Sequence, residues 1–133
     1  EREFMKKLFV SVPMKGRTEA EIKDSIAKMK IIAEAYHGEE LELIDSYISE
    51  NPPLGVNGPI WYLAKSLELL ATADVFIGLD NAWCFSGCEI ERSVAREYGI
   101  ERYLIKGEYA IDNFDALCQK IEAEYMMSEG SCL

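Results

Sequence analysis

The sequence predicts an α/β fold with a parallel sheet, because short apolar runs alternate along the chain with longer amphipathic segments. Four runs read as strands, at residues 6–12, 41–45, 74–79 and 101–106. Each is followed by a segment with helical periodicity, at residues 18–37, 60–70, 87–98 and 114–125. This alternation is typical of a parallel sheet with helices on both faces. Right-handed crossovers then favour the three-layer, flavodoxin-like strand order 2-1-3-4.

The first strand and first helix are bounded by residues that end one and cap the other. Pro13 follows the strand and cannot donate to a sheet ladder. Thr18 and Glu21 have the spacing of a capping box, which predicts a helix start at this point. The helical pattern stops at Gly38, a residue type that readily adopts the left-handed conformation of a helix C-cap.

The later elements have similar signals. The apolar stripe of the second helix is formed by Ile60, Leu63, Leu67 and Leu70. Pro59 fits the first turn of that helix. Ser86 and Glu89 form a second capping box, so the third helix is expected to start near residue 87, and Gly99 is expected to end it.

Composition limits the classes of function. A chain of 133 residues that is 49% hydrophobic is expected to form one domain over residues 1–133, with residues 1–4 as a tag or a polar lead-in. The formal charge of −10 argues against binding to polymeric nucleic acid or to anionic membranes. No apolar run approaches the ~20 residues of a membrane helix. Four irregularly spaced cysteines and one histidine predict a reducing, cytoplasmic setting with no metal site.

The predicted strand order places a ligand crevice between the first and third strands, where the crossovers leave in opposite directions. The first loop at this crevice supplies the candidate ligand contacts Ser11, Pro13, Met14, Lys15, Gly16 and Arg17. Two cations beside a helix N-terminus suit a phosphate or a carboxylate. The alternative is that Lys15 and Arg17 are solvated and that Gly16 only makes the turn.

The second loop brings a carboxylate into the first turns of a helix. Asp80, Trp83, Ser86 and Gly87 line this loop, and Glu91 follows them. Near a helix N-terminus a carboxylate can stay ionised, as a nucleophile at a sugar carbon must be. The alternatives are that Glu91 faces solvent and that Trp83 covers the end of the sheet instead of stacking on a ligand.

Together the two loops resemble the nucleoside 2-deoxyribosyltransferase-like family, including its small phage and bacterial branch. The first match is Phe9-Val-Ser-Val-Pro-Met-Lys-Gly16. The second is Ala73-Asp-Val-Phe-Ile77, followed by Trp83-x-x-Ser-Gly-Cys-x-x-Glu-x-x-x-Ala95 and Tyr98-Gly99. The resemblance extends over nearly the whole chain in the order of its elements.

The resemblance implies that Glu91 attacks the anomeric carbon, and that residues of the two loops hold the sugar or a 5′-phosphate. The family carries an aspartate in the helix before the third strand, where this chain has Ser66. Asp80 is a candidate replacement for that acid. Ser66 lies off the apolar stripe of its helix, so it can face either the crevice or water. Family members commonly associate as homo-oligomers, which predicts a homodimer or a larger assembly.

Two functional hypotheses follow. The first is an N-glycosidic-bond enzyme, either a hydrolase or a deoxyribosyltransferase, that acts without a cofactor on a nucleoside or a nucleoside 5′-monophosphate. The second is a nucleotide-binding module of the same fold that has lost turnover, as the serine at position 66 would favour. An electron-transfer protein is a poorer fit, because the first loop lacks the Ser/Thr-rich segment expected to bind the FMN phosphate.

Overall fold

The computed structural model describes residues 5–14, 16–80 and 86–105, and these form a three-layer α/β fold. The elements are β1 Lys7–Val10, α1 Glu19–His37, β2 Glu42–Leu43, α2 Gly58–Leu70, β3 Val75–Leu79, α3 Ser86–Glu97 and β4 Glu101–Ile105. All strand pairs are parallel and the order is β2-β1-β3-β4. The predicted fold class and strand order are therefore confirmed.

Alternate residues of the central strands enter two apolar clusters, one on each face of the sheet. Leu8 and Val10 of β1 pack with α1, whereas Phe9 faces α2 and α3. β3 alternates in the same way, and its Phe76 stacks on Phe9 with ring centroids 6.0 Å apart. All five residues of β3 are buried, as expected for a central strand of a parallel sheet.

The caps predicted for the first helix are present. The hydroxyl oxygen of Thr18 accepts a hydrogen bond from the backbone N–H of Glu21 at 3.1 Å, and the Glu21 carboxylate accepts from the backbone N–H of Thr18 at 2.9 Å. Gly38 ends α1 with φ 89°. A capping interaction of this kind stabilises a helix by about 1 kcal/mol.

The structure corrects the predictions for α3 and α2. α3 starts at Ser86, one residue before the expected start, and the Glu89 carboxylate accepts hydrogen bonds of 2.9–3.1 Å from Arg92. The Glu89 side chain, predicted to cap the helix, instead accepts from the guanidinium of Arg92 in the next turn, which offers a bidentate partner. In α2, Ile60 is 64% exposed and does not belong to the buried stripe.

β1, β2 and β3 are shorter than the apolar runs that predict them. β2 keeps only two residues of the expected five, as befits an edge strand. The helix predicted at residues 114–125 lies outside the described residues. Among the described helices, none has the length and apolar character needed to cross a bilayer.

Candidate functional site

The candidate site is organised around Glu91, a carboxylate on the buried face of α3. That face consists of Cys88, Glu91 and Ala95, and Glu91 is only 7% exposed. The Ser11 hydroxyl donates a hydrogen bond of 2.6 Å to Oε1 of Glu91. Because Ser11 is the first residue after β1, the carboxyl group lies at the carboxyl end of the sheet and faces the start of the first loop. The solvent-facing alternative for Glu91 is excluded.

A glycine in β3 allows Ser11 to lie close to the sheet. The Ser11 backbone N–H donates to the Ile77 carbonyl at 2.9 Å, which continues the β1–β3 ladder beyond β1. A Cβ atom at Gly78 would lie 2.8 Å from the Phe76 ring and 3.3 Å from Cβ of Ser11. The site therefore requires a residue without a side chain at position 78. This role of Gly78 was not predicted from the sequence. A glycine inside an apolar strand was the available signal.

A second hydroxyl near Glu91 comes from α2. Ser66 is 7% exposed, and its hydroxyl is near enough to lower the pKa of the Glu91 carboxyl. Of the two alternatives for Ser66, the structure therefore supports the one that reaches the crevice. Ser11 and Ser66 remain predicted ligand contacts, and in the structure the Ser11 hydroxyl donates to Glu91.

Burial dominates the electrostatics of this carboxyl group. Removal from water raises the pKa of Glu91, and the hydrogen bonds from Ser11 and Ser66 lower it only in part. Ion pairs involving Glu91 are absent from the described part of the chain. A carboxyl group in this setting stays protonated to a higher pH than an exposed glutamate does.

Cys88 lies beside this pair but is not activated. Its thiol is buried, and burial raises the pKa of the Cys88 thiol to about 12. The thiol is therefore neutral at physiological pH, which makes it a poor nucleophile and metal ligand. Across the described residues, no three His, Cys, Asp or Glu side chains are grouped closely enough to hold a metal ion.

In the first loop, the described side chains make contacts that the sequence did not predict. Arg17 donates to the Pro13 carbonyl at 2.9 Å and to the Ser25 hydroxyl at 2.6 Å, so these contacts direct it to the start of α1. Pro13 is buried, and Met14 packs against the apolar cluster under α1. Gly16 makes the turn with φ 78° and is exposed. Lys15 lies outside the described residues.

The second loop is described only at its two ends. Asp80 is exposed, and its backbone N–H donates to the Ile105 carbonyl at 2.6 Å. Ser86 and Gly87 are exposed in the first turn of α3, where backbone N–H groups can meet a ligand. Trp83 lies outside the described residues.

Comparisons with known proteins support the fold. No protein-family model and no curated protein sequence matches the chain. A crystal structure of a conserved protein from Enterococcus faecalis V583 is similar, with a TM-score of 0.50 and 17% sequence identity. The match covers 96% of this chain and 77% of that chain. At this identity the likeness shows the fold alone.

Proposed function

We propose that this chain cleaves the N-glycosidic bond of a nucleoside or a nucleoside 5′-monophosphate, with Glu91 as the nucleophile. The observation that carries this proposal is the 2.6 Å hydrogen bond between Ser11 and a buried Glu91. Neighbouring parallel strands in the order 2-1-3 meet at this edge of the sheet, where α/β folds bind small ligands. The resemblance to the nucleoside 2-deoxyribosyltransferase-like family supports the same reaction.

The chemistry would proceed in two displacements. One oxygen of the Glu91 carboxylate attacks C1′ as the bond from C1′ to the base nitrogen breaks, and the departing base takes the electron pair and a proton. Asp80, exposed at the end of β3, is a candidate source of that proton. Water or a second base then attacks C1′ and releases the carboxylate. Water makes the protein a hydrolase, and a base makes it a transferase.

The pKa of Glu91 leads to an expected pH dependence. Only the ionised carboxylate can attack, and burial raises the pKa of Glu91, so the rate should increase with pH through that pKa. A profile of kcat against pH, measured on the best substrate, should show this acid limb. A rate that falls over the same interval would argue against a carboxylate nucleophile.

The deciding experiment incubates the protein with a panel of nucleosides and nucleoside monophosphates and measures free base by chromatography. Glu91→Gln should reduce release by about 10³-fold or more, because the amide cannot form the ester intermediate. Glu89→Gln is the matched control, since Glu89 lies on the same helix and interacts with Arg92. Release that survives Glu91→Gln removes Glu91 from its role.

A second candidate function is a nucleotide-binding module without turnover. It is favoured by Ser66, which stands where the family resemblance implies an aspartate and which is buried in this chain. A hydroxyl cannot serve as an acid of comparable strength. Tight binding of a panel member, measured by calorimetry, together with no release of base from any of them, would favour this candidate.

We also propose that the chain forms a homodimer or a larger homo-oligomer, as the family resemblance implies. The exposed apolar side chains Ile60 and Tyr62 at the start of α2 offer contact surface. Light scattering coupled to size-exclusion chromatography measures the mass directly. A mass of 15.1 kDa at all concentrations would contradict self-association.

A further inference from the structure

The guanidinium of Arg17 connects the first loop to the helix that follows it. Nη1 donates a hydrogen bond of 2.9 Å to the Pro13 carbonyl, and Nη2 donates one of 2.6 Å to the Ser25 hydroxyl. A longer contact of 3.4 Å joins Nη2 to the Glu21 carbonyl. Ser25 is 1% exposed and belongs to the buried face of α1, so packing fixes the acceptor on the helix side. The side chain therefore bridges a residue before the turn and a residue in the second turn of α1.

The backbone of the same loop is also held by contacts within the protein. The Arg17 N–H donates to the Met14 carbonyl at 3.1 Å, and Gly16 provides the positive φ of 78° that this turn needs. Met14 packs against the apolar cluster under α1. At the other end, Ser11 is tied to β3 through its backbone N–H and donates its hydroxyl to Glu91. The loop that starts at the Glu91 carboxyl thus ends at a charged bridge to α1.

We propose that Arg17 is a positioning residue whose bridge between Pro13 and Ser25 holds the first loop in its ligand-binding conformation. Arg17 was predicted from the sequence as a direct ligand contact, whereas here its guanidinium acts through the loop. The effect of the bridge on substrate binding rests on the proposed function, and its effect on the opening of the loop does not.

The geometry of a guanidinium suits this role. Its planar fork donates in fixed directions from separate nitrogens, so it can hold two acceptors at once, and hydrogen bonds from a charged donor are stronger than those between neutral groups. A lysine ammonium keeps the charge but not the fork. A loop that is already ordered binds its ligand without the cost of ordering, and partial opening lowers the apparent affinity in proportion to the fraction of molecules that stay closed. Loss of the bridge should therefore weaken every ligand of this loop, with or without a phosphate.

The kinetic test compares a nucleoside with its own 5′-monophosphate in Arg17→Lys, as KM or, for a compound that is not cleaved, as the inhibition constant. We expect these constants to rise about tenfold for both compounds while kcat changes by less than about twofold, because the variant loses loop order but keeps its charge and Glu91. Ser25→Ala, which removes the acceptor on α1, should have the same effect. A loss restricted to the monophosphate would overturn the proposal, because that is the result expected of a direct contact with the phosphate.

Amide hydrogen exchange tests the bridge without any substrate. The reporter is the backbone N–H at position 17, which closes the turn onto Met14. In Arg17→Lys and in Ser25→Ala its protection factor should fall about tenfold, because a charge-assisted hydrogen bond that opposes loop opening is lost. Lys23→Gln is the matched control: it removes a cation of α1 that pairs with Glu19 at 2.8 Å, and it should leave the protection unchanged. Unchanged protection in Arg17→Lys, or an equal fall in the control, would overturn the proposal.

The exchange measurement also separates this proposal from the proposed function. Reduced protection in Arg17→Lys together with base release that survives Glu91→Gln would retain the bridge and reject the nucleophile. Loss of release in Glu91→Gln with unchanged protection in Arg17→Lys would do the reverse. If both hold, the two loop substitutions should not add: the double variant should have nearly the KM of Arg17→Lys alone, because both changes break the same hydrogen bond.

Discussion

Two glutamates of this chain accept short hydrogen bonds from hydroxyl groups, yet their pKa values move in opposite directions. Glu91 accepts from Ser11 at 2.6 Å, and Glu101 accepts from the Tyr103 hydroxyl at 2.5 Å. The hydrogen bond from Tyr103 lowers the pKa of Glu101, whereas burial raises the pKa of Glu91 despite its hydrogen bonds. The side chain of Glu101 is 44% exposed, and Glu91 is 7% exposed.

The difference shows that solvation, more than hydrogen-bond length, determines the ionisation of these carboxyl groups. At the edge strand β4, water still solvates the charge of Glu101, and His37 approaches it to 3.6 Å. Between α2 and α3, Glu91 has lost most of that solvation, and two hydroxyls return part of it. The first arrangement stabilises a surface, and the second resembles a site for chemistry.

The largest expected effect comes from Gly78, which lies beside Ser11, the hydrogen-bond partner of Glu91. Gly78→Ala should reduce the free energy of unfolding by about 1–3 kcal/mol, because the new Cβ would overlap the Phe76 ring and press on Ser11. Urea denaturation measures the loss. Gly87→Ala is the control: a Cβ there meets nothing within 4 Å, so little change or a slight gain is expected. Equal losses in the two variants would contradict the close approach at Gly78.

The next effect separates the two glutamates by the pH dependence of stability. The pKa of Glu91 is higher in the folded protein than in the unfolded chain. The contribution of Glu91 to the free energy of unfolding is therefore complete below the unfolded-state pKa and is lost as pH rises through the folded-state pKa. Glu91→Gln removes that loss, so the variant should gain stability relative to the wild type as pH increases. Urea denaturation at a series of pH values tests this, and a difference that does not change with pH would contradict the burial of the charge.

Glu101→Gln should behave in the opposite way. The pKa of folded Glu101 is lowered, so its contribution is present above the unfolded pKa and is lost as pH falls through the folded value. The wild type should therefore be the more stable protein at neutral pH, and the difference should shrink in acid. The same denaturation series provides the measurement. If the stability of both glutamine variants relative to the wild type changed in the same direction with pH, solvation would not be the cause of the contrast.

The smallest expected effect concerns Glu89, the carboxylate two residues before Glu91. Arg92→Ala should cost about 0.2–0.5 kcal/mol, because a pair three residues apart on a helix surface is worth little even when bidentate. The loss should fall further in high salt, which screens such pairs. Thermal denaturation at two salt concentrations measures both effects. A loss of several kcal/mol would contradict the small contribution expected of this pair.

Periodicity and capping patterns were sufficient to predict the order of the strands in the sheet and the positions of α1, α2 and α3, because these depend on local sequence and on general crossover rules. They also identified Glu91 and Ser66 as candidates. They could not assign the partner of Glu91, since Ser11 lies 80 residues earlier and the pairing depends on how β1 and α3 pack. The contacts of Arg17 with Pro13 and Ser25 were not predicted for the same reason, because they follow from the path of the turn, which composition does not specify.

The register of β1 against β3 carries a consequence for folding. Side chains alternate in a strand, so a slip of one residue would replace Ser11 by a valine on the face that holds Glu91. The pair can therefore form only after two segments 67 residues apart have aligned. A ligand that binds at Glu91 should thus slow amide hydrogen exchange along β1 and β3, because it binds only molecules in which the whole central sheet is closed.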